Sequence, residues 1–426
     1  MNYTNLSKEA ALAEHAKLTK EYSELKAKGL KLDMSRGKPG KDQLDITMGM
    51  LGVISDDTDC RSSAGIDCRN YGLLDGIPEA KKLFADLLGL KESRVIVAGN
   101  SSLNLMYDSV ARAMLYGVVG SEKPWSKLDK VKFLCPAPGY DRHFAICESL
   151  GIEMINVPMT ENGPDMDVVE KLVAENASIK GIWCVPKFSN PGGIVYSDET
   201  VKRFAALKPA AKDFRIFWDN AYAVHDFDID NPVKLLDIFA EAEKYGNVDK
   251  IFYFASTSKI SFPGSGVAIM AASEDNLAQI KKVMTVQTIG FDKINMMRHV
   301  KYFKDADGIL EHMRAHAKII KPKFDIVIET LERELGNTGI AEWNSPKGGY
   351  FISLDVYKGC AKRVYSLVSE LGVTLTAAGA TFPYGKDPDD RNIRIAPTFP
   401  PNDELKLASE ILCLCVKLAA IEKMYL

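Results

Sequence analysis

Residues 254–266 read FASTSKISFPGSG, an apolar run that ends in Ser256, Thr257, Ser258 and Lys259 and then breaks at Pro263, Gly264 and Gly266. A lysine at the end of a buried strand either snorkels outward or is held as a working amine. The S-x-S-K string decides nothing alone, because the K-T-G and S-D-N companions of a penicillin-binding serine enzyme are missing. Two other apolar runs end in residues of complementary type. FRIFW runs into Asp219, with Tyr222 three residues further on, and GIWCVP is followed by Asn190 in SNPGG. Each has an ordinary use as well: an aspartate can cap a helix, and Asn-Pro can build a turn.

Taken together, an amine, a carboxylate, a phenol and an amide describe a site for an aromatic phosphate cofactor. Such a cofactor forms a Schiff base with lysine and needs an acid beside its ring nitrogen. Pyridoxal 5'-phosphate has that chemistry. Its protonated ring drains electrons from a substrate's α-carbon, and the Asp219 carboxylate would stabilise the positive charge that keeps the proton in place.

The elements that must position these groups are legible as apolar runs bounded by turn residues: RVIVAG, VKFLCP, GIWCVP, FRIFWDN, KIFYFAS and GVAIMA. Amphipathic stretches such as LNLMYDSVARAMLYGVV separate them, so strands alternate with helices and predict an α/β fold. The sheet is mostly parallel, seven-stranded in type, and covered on both faces. Ligands of such sheets sit beyond the carboxyl ends of the strands. There the sequence places GNSSLN (99–104), PAPGYDRH (136–143), PKFSNPGG (186–193), DNAY (219–222) and STSK (256–259). From about Asp305 the pattern changes to a long charged helix, then KGGYFISLDVY, a helix near 361–371, and RNIRIAP before a closing helix. Residues 56–304 are therefore expected to form the large domain, and residues 1–55 with 305–426 a smaller α+β domain built from both chain ends.

The chain has 426 residues, formal net charge −3, and 46% hydrophobic and 26% charged residues. That balance is ordinary for a soluble globular protein and gives no field for nucleic acid or an anionic membrane. Eight cysteines are scattered without a C-x-x-C pair, and six histidines show no H-E-x-x-H pattern, so reduced thiols, no metal and a cytoplasmic location are expected. No run reaches the length of a membrane span.

The ordered set S-N-P-x-G, D-N-A-Y, S-x-S-K and N-x-R resembles the fold-type I pyridoxal-phosphate aminotransferases of class I/II over almost the whole chain. Asn190, Asp219, Lys259 and Arg394 follow one another at gaps of 29, 40 and 135 residues. The resemblance implies that Lys259 holds the cofactor aldehyde and later shuttles the substrate's α-proton. It implies that Asn190 and Tyr222 hydrogen-bond the ring's phenolic oxygen. Ser256, Ser258, Asn100, Ser101 and Ser102 look like phosphate ligands, the last three at the start of a helix, although a plain helix cap would use the same residues. Tyr140 resembles the aromatic that stacks on the ring, with His143 behind it. Arg394 looks like the clamp for the substrate's α-carboxylate, a role its planar fork suits. Gly37 and Tyr350 match pocket-lining positions. Tyr71, in RNYGLLDGIPEA, matches the tyrosine that crosses to the neighbouring subunit's phosphate, which implies a homodimer with shared active sites.

One feature departs from the family. Most relatives carry an arginine in a G-x-R-x-G motif shortly after the lysine, where this chain has PGSGVA, with Ser265 or Gly266 in the expected place and Lys293, Arg298 or a partner residue as substitutes. With MSRGKP, GNSSLNLMYD, PGYDRH and GFDKINMMRH, this departure resembles a divergent bacterial aspartate aminotransferase subgroup. The implied reaction moves the amino group of L-aspartate to 2-oxoglutarate by a ping-pong route. Arg36, Arg142 and Lys38 are candidates for the distal carboxylate, and Lys187 is a weaker one. The alternatives are a transaminase for aromatic, kynurenine-like or other amino acids, a lyase on the same scaffold, and a cofactor-sensing regulator, which would need a DNA-binding module.

Overall fold

The computed structural model describes all 426 residues. Its strands in chain order are β1 (Leu32–Asp33), β2 (Val95–Val97), β3 (Lys132–Ala137), β4 (Glu153–Thr160), β5 (Gly163–Pro164), β6 (Ile179–Cys184), β7 (Arg215–Asp219), β8 (Ile251–Ser256), β9 (Ala268–Ala271), β10 (Ala341–Trp343), β11 (Ile352–Val356), β12 (Val373–Thr374) and β13 (Asn392–Ile395). Eight of them form one sheet in the order β2-β9-β8-β7-β6-β3-β4-β5. The β8-β7-β6-β3-β4 run is parallel throughout. At one edge β9 lies antiparallel to β8 and β2, and at the other the two-residue β5 folds back on β4. The expected mostly parallel sheet is therefore present, with β5 as an added edge hairpin.

Strands β6 and β7 are buried at every position, which is why they read as continuous apolar runs. Their side chains alternate between two cores. Phe133, Trp183, Phe217, Phe252 and Phe254 fill one face, while Leu134, Ile182, Ile216, Trp218 and Ile251 fill the other. The helices that cover these faces start where Asp165, Ser197, Ser273 and Asp292 accept backbone N–H groups. Each such cap contributes about 1 kcal/mol.

A third core joins the chain ends. β10, β11 and β13 make an antiparallel sheet, and β1 pairs in parallel with β12, bringing the N-terminal segment against the C-terminal region. The helix Ala306–Leu335 spans two cores. Its first turns put Ile309 and Met313 among the residues packed on the large sheet, and its later turns put Phe324, Val327, Leu331 and Leu335 with the closing helix Asn402–Tyr425. All eight cysteines are buried and free. No helix is long and apolar enough to cross a membrane.

Candidate active site

Asp219 is the last residue of β7 and Lys259 follows β8, its parallel neighbour, so the sheet brings carboxylate and amine to one edge. The Lys259 Nζ stands 4.9 Å from the centre of the Tyr222 ring and 5.7 Å from that of Tyr350. Burial lowers the affinity of this amine for its proton below that of an ordinary lysine; Asp219 opposes the shift and the Arg394 charge adds to it. A larger share of free amine, the nucleophilic form, results.

Behind the carboxylate, Asp219 Oδ2 lies 3.1 Å from His143 Nε2, and the His143 ring stacks on Trp183 at 4.4 Å with planes 9° apart. Tyr140 meets the other side of His143 edge-on at 4.9 Å. Asp219 Oδ1 is buried and has no partner. A bare carboxylate oxygen at that depth is costly unless a donor or cation meets it. It is therefore open to the protonated ring nitrogen that the sequence reading assigns to Asp219.

Arg394, on β13, is buried with four of its five guanidinium N–H groups engaged and one Nη2–H left over. Nη1 donates to Asp141 Oδ1 at 2.7 Å and to Asn190 Oδ1 at 3.3 Å, while Nε and Nη2 both reach Thr376 Oγ1, and the plane lies 4.9 Å above Phe351. Thr376 passes its own proton to the Ser35 carbonyl, tying Arg394 to the segment that carries Gly37. A Cβ on Gly37 would run into the Phe351 ring, so only glycine lets that backbone close over the arginine's apolar support.

Near the lysine, Ser256 Oγ lies 3.2 Å from Ser258 Oγ, which in turn lies 3.3 Å from the Asn100 carbonyl. Ser101 caps the helix Ser102–Tyr116 without using its side chain, which leaves backbone donors at that helix start. Gly266 closes the same nook: a Cβ there would sit 3.1 Å from the Asn100 carbonyl and 3.3 Å from the Ser258 amide. Hydroxyls, a helix N-terminus and a glycine-lined wall together suit a phosphate.

The remaining predicted residues fall into three groups. Tyr222 is buried beneath the amine, and Tyr350 is buried with its hydroxyl turned to Gln43 and the Lys259 carbonyl. Tyr71 stands 80% exposed, outside this cluster. Among the distal-carboxylate candidates, Lys187 is spent, since its Nζ donates to Asp226 at 2.7 Å and to the Ala223 carbonyl; this corrects its nomination. Lys38 rests over the Phe399 ring at 3.8 Å. Arg36 is exposed, and Arg142 is exposed on an open groove shared with Ser101 and Tyr107.

A family-wide profile described as aspartate amino-transferase matches residues 6–425. The chain belongs to the aspartate amino-transferase family. Among curated relatives, the aspartate aminotransferase of Corynebacterium glutamicum is 45% identical over 408 residues, covering 96% of this aminotransferase and 94% of that protein. A crystal structure of an aspartate transaminase from the same organism superposes with a TM-score of 0.96 at 43% identity, covering 100% of this chain and 99% of that one. The α-aminoadipate aminotransferase of Thermus thermophilus, solved with N-(5'-phosphopyridoxyl)-L-leucine, shares the fold at a TM-score of 0.74 and 20% identity over 97% of this chain and 98% of its own.

Sequence reading missed several polar residues of this aminotransferase that the fold brings in. Asp141 and Thr376 hold Arg394, and Gln43, His312 and His316 lie behind Tyr350. The i, i+4 spacing of His312 and His316 on a helical pattern was a usable signal; Gln43 and Thr376 carried none.

Proposed function

We propose that this aminotransferase holds pyridoxal 5'-phosphate and moves the amino group of L-aspartate to 2-oxoglutarate in two half-reactions, a ping-pong cycle. The observation that carries the cofactor reading is the buried, unpartnered Asp219 Oδ1 on the strand next to the one that delivers Lys259. Lys259 would hold the cofactor's aldehyde, Asp219 its ring nitrogen, and Asn190 and Tyr222 its phenolic oxygen. Tyr140 would face the ring, and Ser256, Ser258, Asn100, Ser101 and Ser102 would hold its phosphate. When bound, the cofactor supplies an electron sink for charge developing on the substrate's α-carbon.

The chain's own residues do the rest. His143 and Trp183 fix the Asp219 carboxylate, so its negative charge is aimed before any ligand arrives. Arg394, held by Asp141 and Thr376, binds the substrate's α-carboxylate and orients the α-carbon toward Lys259. Lys259 Nζ, in its free-base form, takes and returns the α-proton. The aspartate preference is supported by the identity to the Corynebacterium glutamicum enzyme, and Arg36, Arg142 or Lys38 would supply the cation for the distal carboxylate. A homodimer in which Tyr71 reaches the partner's site, and a cytoplasmic setting that suits eight free thiols, complete the proposal. So does a division into 56–304 and 1–55 with 305–426. The separate core of the chain ends supports that division, although Met50, Ile309 and Met313 pack with the large sheet.

Borohydride reduction of the purified holoenzyme followed by peptide mapping tests the reading. The cofactor adduct is expected on Lys259, and an adduct on any other lysine refutes the site. In a panel of amino donors with 2-oxoglutarate, aspartate should give the highest kcat/KM; a clear preference for an aromatic donor would replace the substrate assignment.

A further inference from the structure

Gln43 lies in the short helix Lys41–Asp45 and is 0% exposed. Its side-chain amide is a hub. Oε1 accepts the Gly40 N–H at 3.2 Å, and Nε2 stands 3.0 Å from both the Tyr350 hydroxyl and His316 Nδ1. From there one arm runs through the Tyr350 hydroxyl to the Lys259 carbonyl at 3.5 Å. The other runs from His316 Nε2 to His312 Nε2 at 3.1 Å, which lies 3.0 Å from the Ile260 carbonyl and 3.2 Å from Thr47 Oγ1. A buried polar path thus leaves the chain at Lys259 and returns to it at the next residue.

We propose, with Lys259 taken as the reacting amine, that Gln43 is a positioning residue for it: the orientation of its amide sets the direction of the protons along this path and so decides whether Tyr350 donates to the Lys259 carbonyl.

The reasoning is donor and acceptor accounting. Burial keeps His312 and His316 neutral, so each ring has one N–H and one lone pair. With the Gly40 amide on Oε1, both Nε2 protons of Gln43 go to Tyr350 and to His316 Nδ1. Tyr350 then has its own proton free for the Lys259 carbonyl. His316 carries its proton on Nε2, where it faces both His312 Nε2 and the Ile260 carbonyl.

In the reverse order His312 donates to Ile260, His316 and Tyr350 both donate to Gln43 Oε1, and the Lys259 carbonyl loses the Tyr350 donor, with only the His225 ring left facing it. The Gly40 N–H would then face an amide NH2. The Gly40 N–H therefore selects the first order, and through it the Gln43 amide couples the MSRGKPG segment, which carries Gly37, to the turn that aims the lysine. Fully connected buried networks fix geometry in this way because an unpaired member is costly.

Holoenzyme variants test the proposal. Q43L, Q43E and Y350F should each lower kcat by about tenfold or more with KM little changed, the scale expected when a reacting group is mis-aimed. Q43E retains an acceptor for Gly40 yet has no N–H to give. Because Gln43 acts through Tyr350, the Q43L/Y350F double variant should be no slower than the slower single, and the kcat/KM pH profile should shift the same way in Q43L and Y350F.

In 15N spectra of the wild-type protein, His316 should appear as the Nε2–H tautomer and His312 as Nδ1–H. Additive losses, an effect confined to KM, an unmoved pH profile or His316 as Nδ1–H would overturn it. Should Q43L fail to fold, Q43E, Y350F and the tautomer assignment still decide. The tautomer assignment does not depend on where the cofactor adduct maps, so failure of the proposed function and failure of this proposal are separable.

Discussion

At the scale of single residues, the site is organised around what each charge lacks. Asp219 has one oxygen held by His143 and one left bare. Arg394 is the opposite case, with Asp141, Asn190 and Thr376 already taking four of its five N–H groups. In the proposed role a substrate carboxylate would take the remaining Nη2–H and share the Asp141 contact, an exchange the planar fork allows without moving the arginine. Arg394→Lys keeps the charge but loses the bidentate geometry and the stacking over Phe351. A charge-assisted hydrogen bond is worth about 1.5–3 kcal/mol, so steady-state kinetics should show kcat/KM for aspartate falling about 10- to 150-fold. An unchanged kcat/KM would remove Arg394 from the substrate site.

At the scale of elements, the turn after β8 and the helices beside it are tied together by buried histidines. His299 Nε2 lies 2.8 Å from the Ser261 hydroxyl, and its Nδ1 lies 2.8 Å from the Asn295 carbonyl. Burial pushes the His299 pKa down to about 4 and that of His316 down to about 3, against about 6.5 in an unfolded chain. Between about pH 6.5 and these folded values the unfolded chain binds more protons than the native one. Stability must therefore fall as pH falls through that window, each histidine steepening the loss by up to about 1.4 kcal/mol per pH unit. Urea unfolding at pH 7.5, 6 and 5 should show midpoints dropping with pH, and H299Q should flatten the slope. A midpoint that rises on acidification would contradict this account.

At the scale of the whole molecule, the exposed Tyr71 is the residue that the proposed homodimer would carry into the neighbouring site. Y71A and K259A homodimers should each have low activity. In an equimolar mixture allowed to exchange subunits, half the dimers are hybrids, each with one site that has both Lys259 and the partner's tyrosine. About a quarter of wild-type activity should return by the symmetry of a two-fold dimer. Sedimentation of the same mixture as a dimer with no recovered activity would show that Tyr71 does not serve the neighbouring site.

The strand order of chemistry was readable in the chain itself. Parallel strands buried on both faces must be apolar throughout, so the polar residues that follow them stand out, and Asn190, Asp219 and Lys259 were marked by that contrast. The caps at Ser197 and Ser273 are local as well, because a helix start depends on the residues beside it. What the tertiary structure alone decided is which distant residues complete each charge. Asp141 reaches Arg394 across 253 positions, Lys187 is consumed by Asp226, and Gln43 meets His316 across 273 positions. Such pairings are set by where packed elements come to rest, and nothing in the local spacing of a glutamine or a threonine records the partner it will meet.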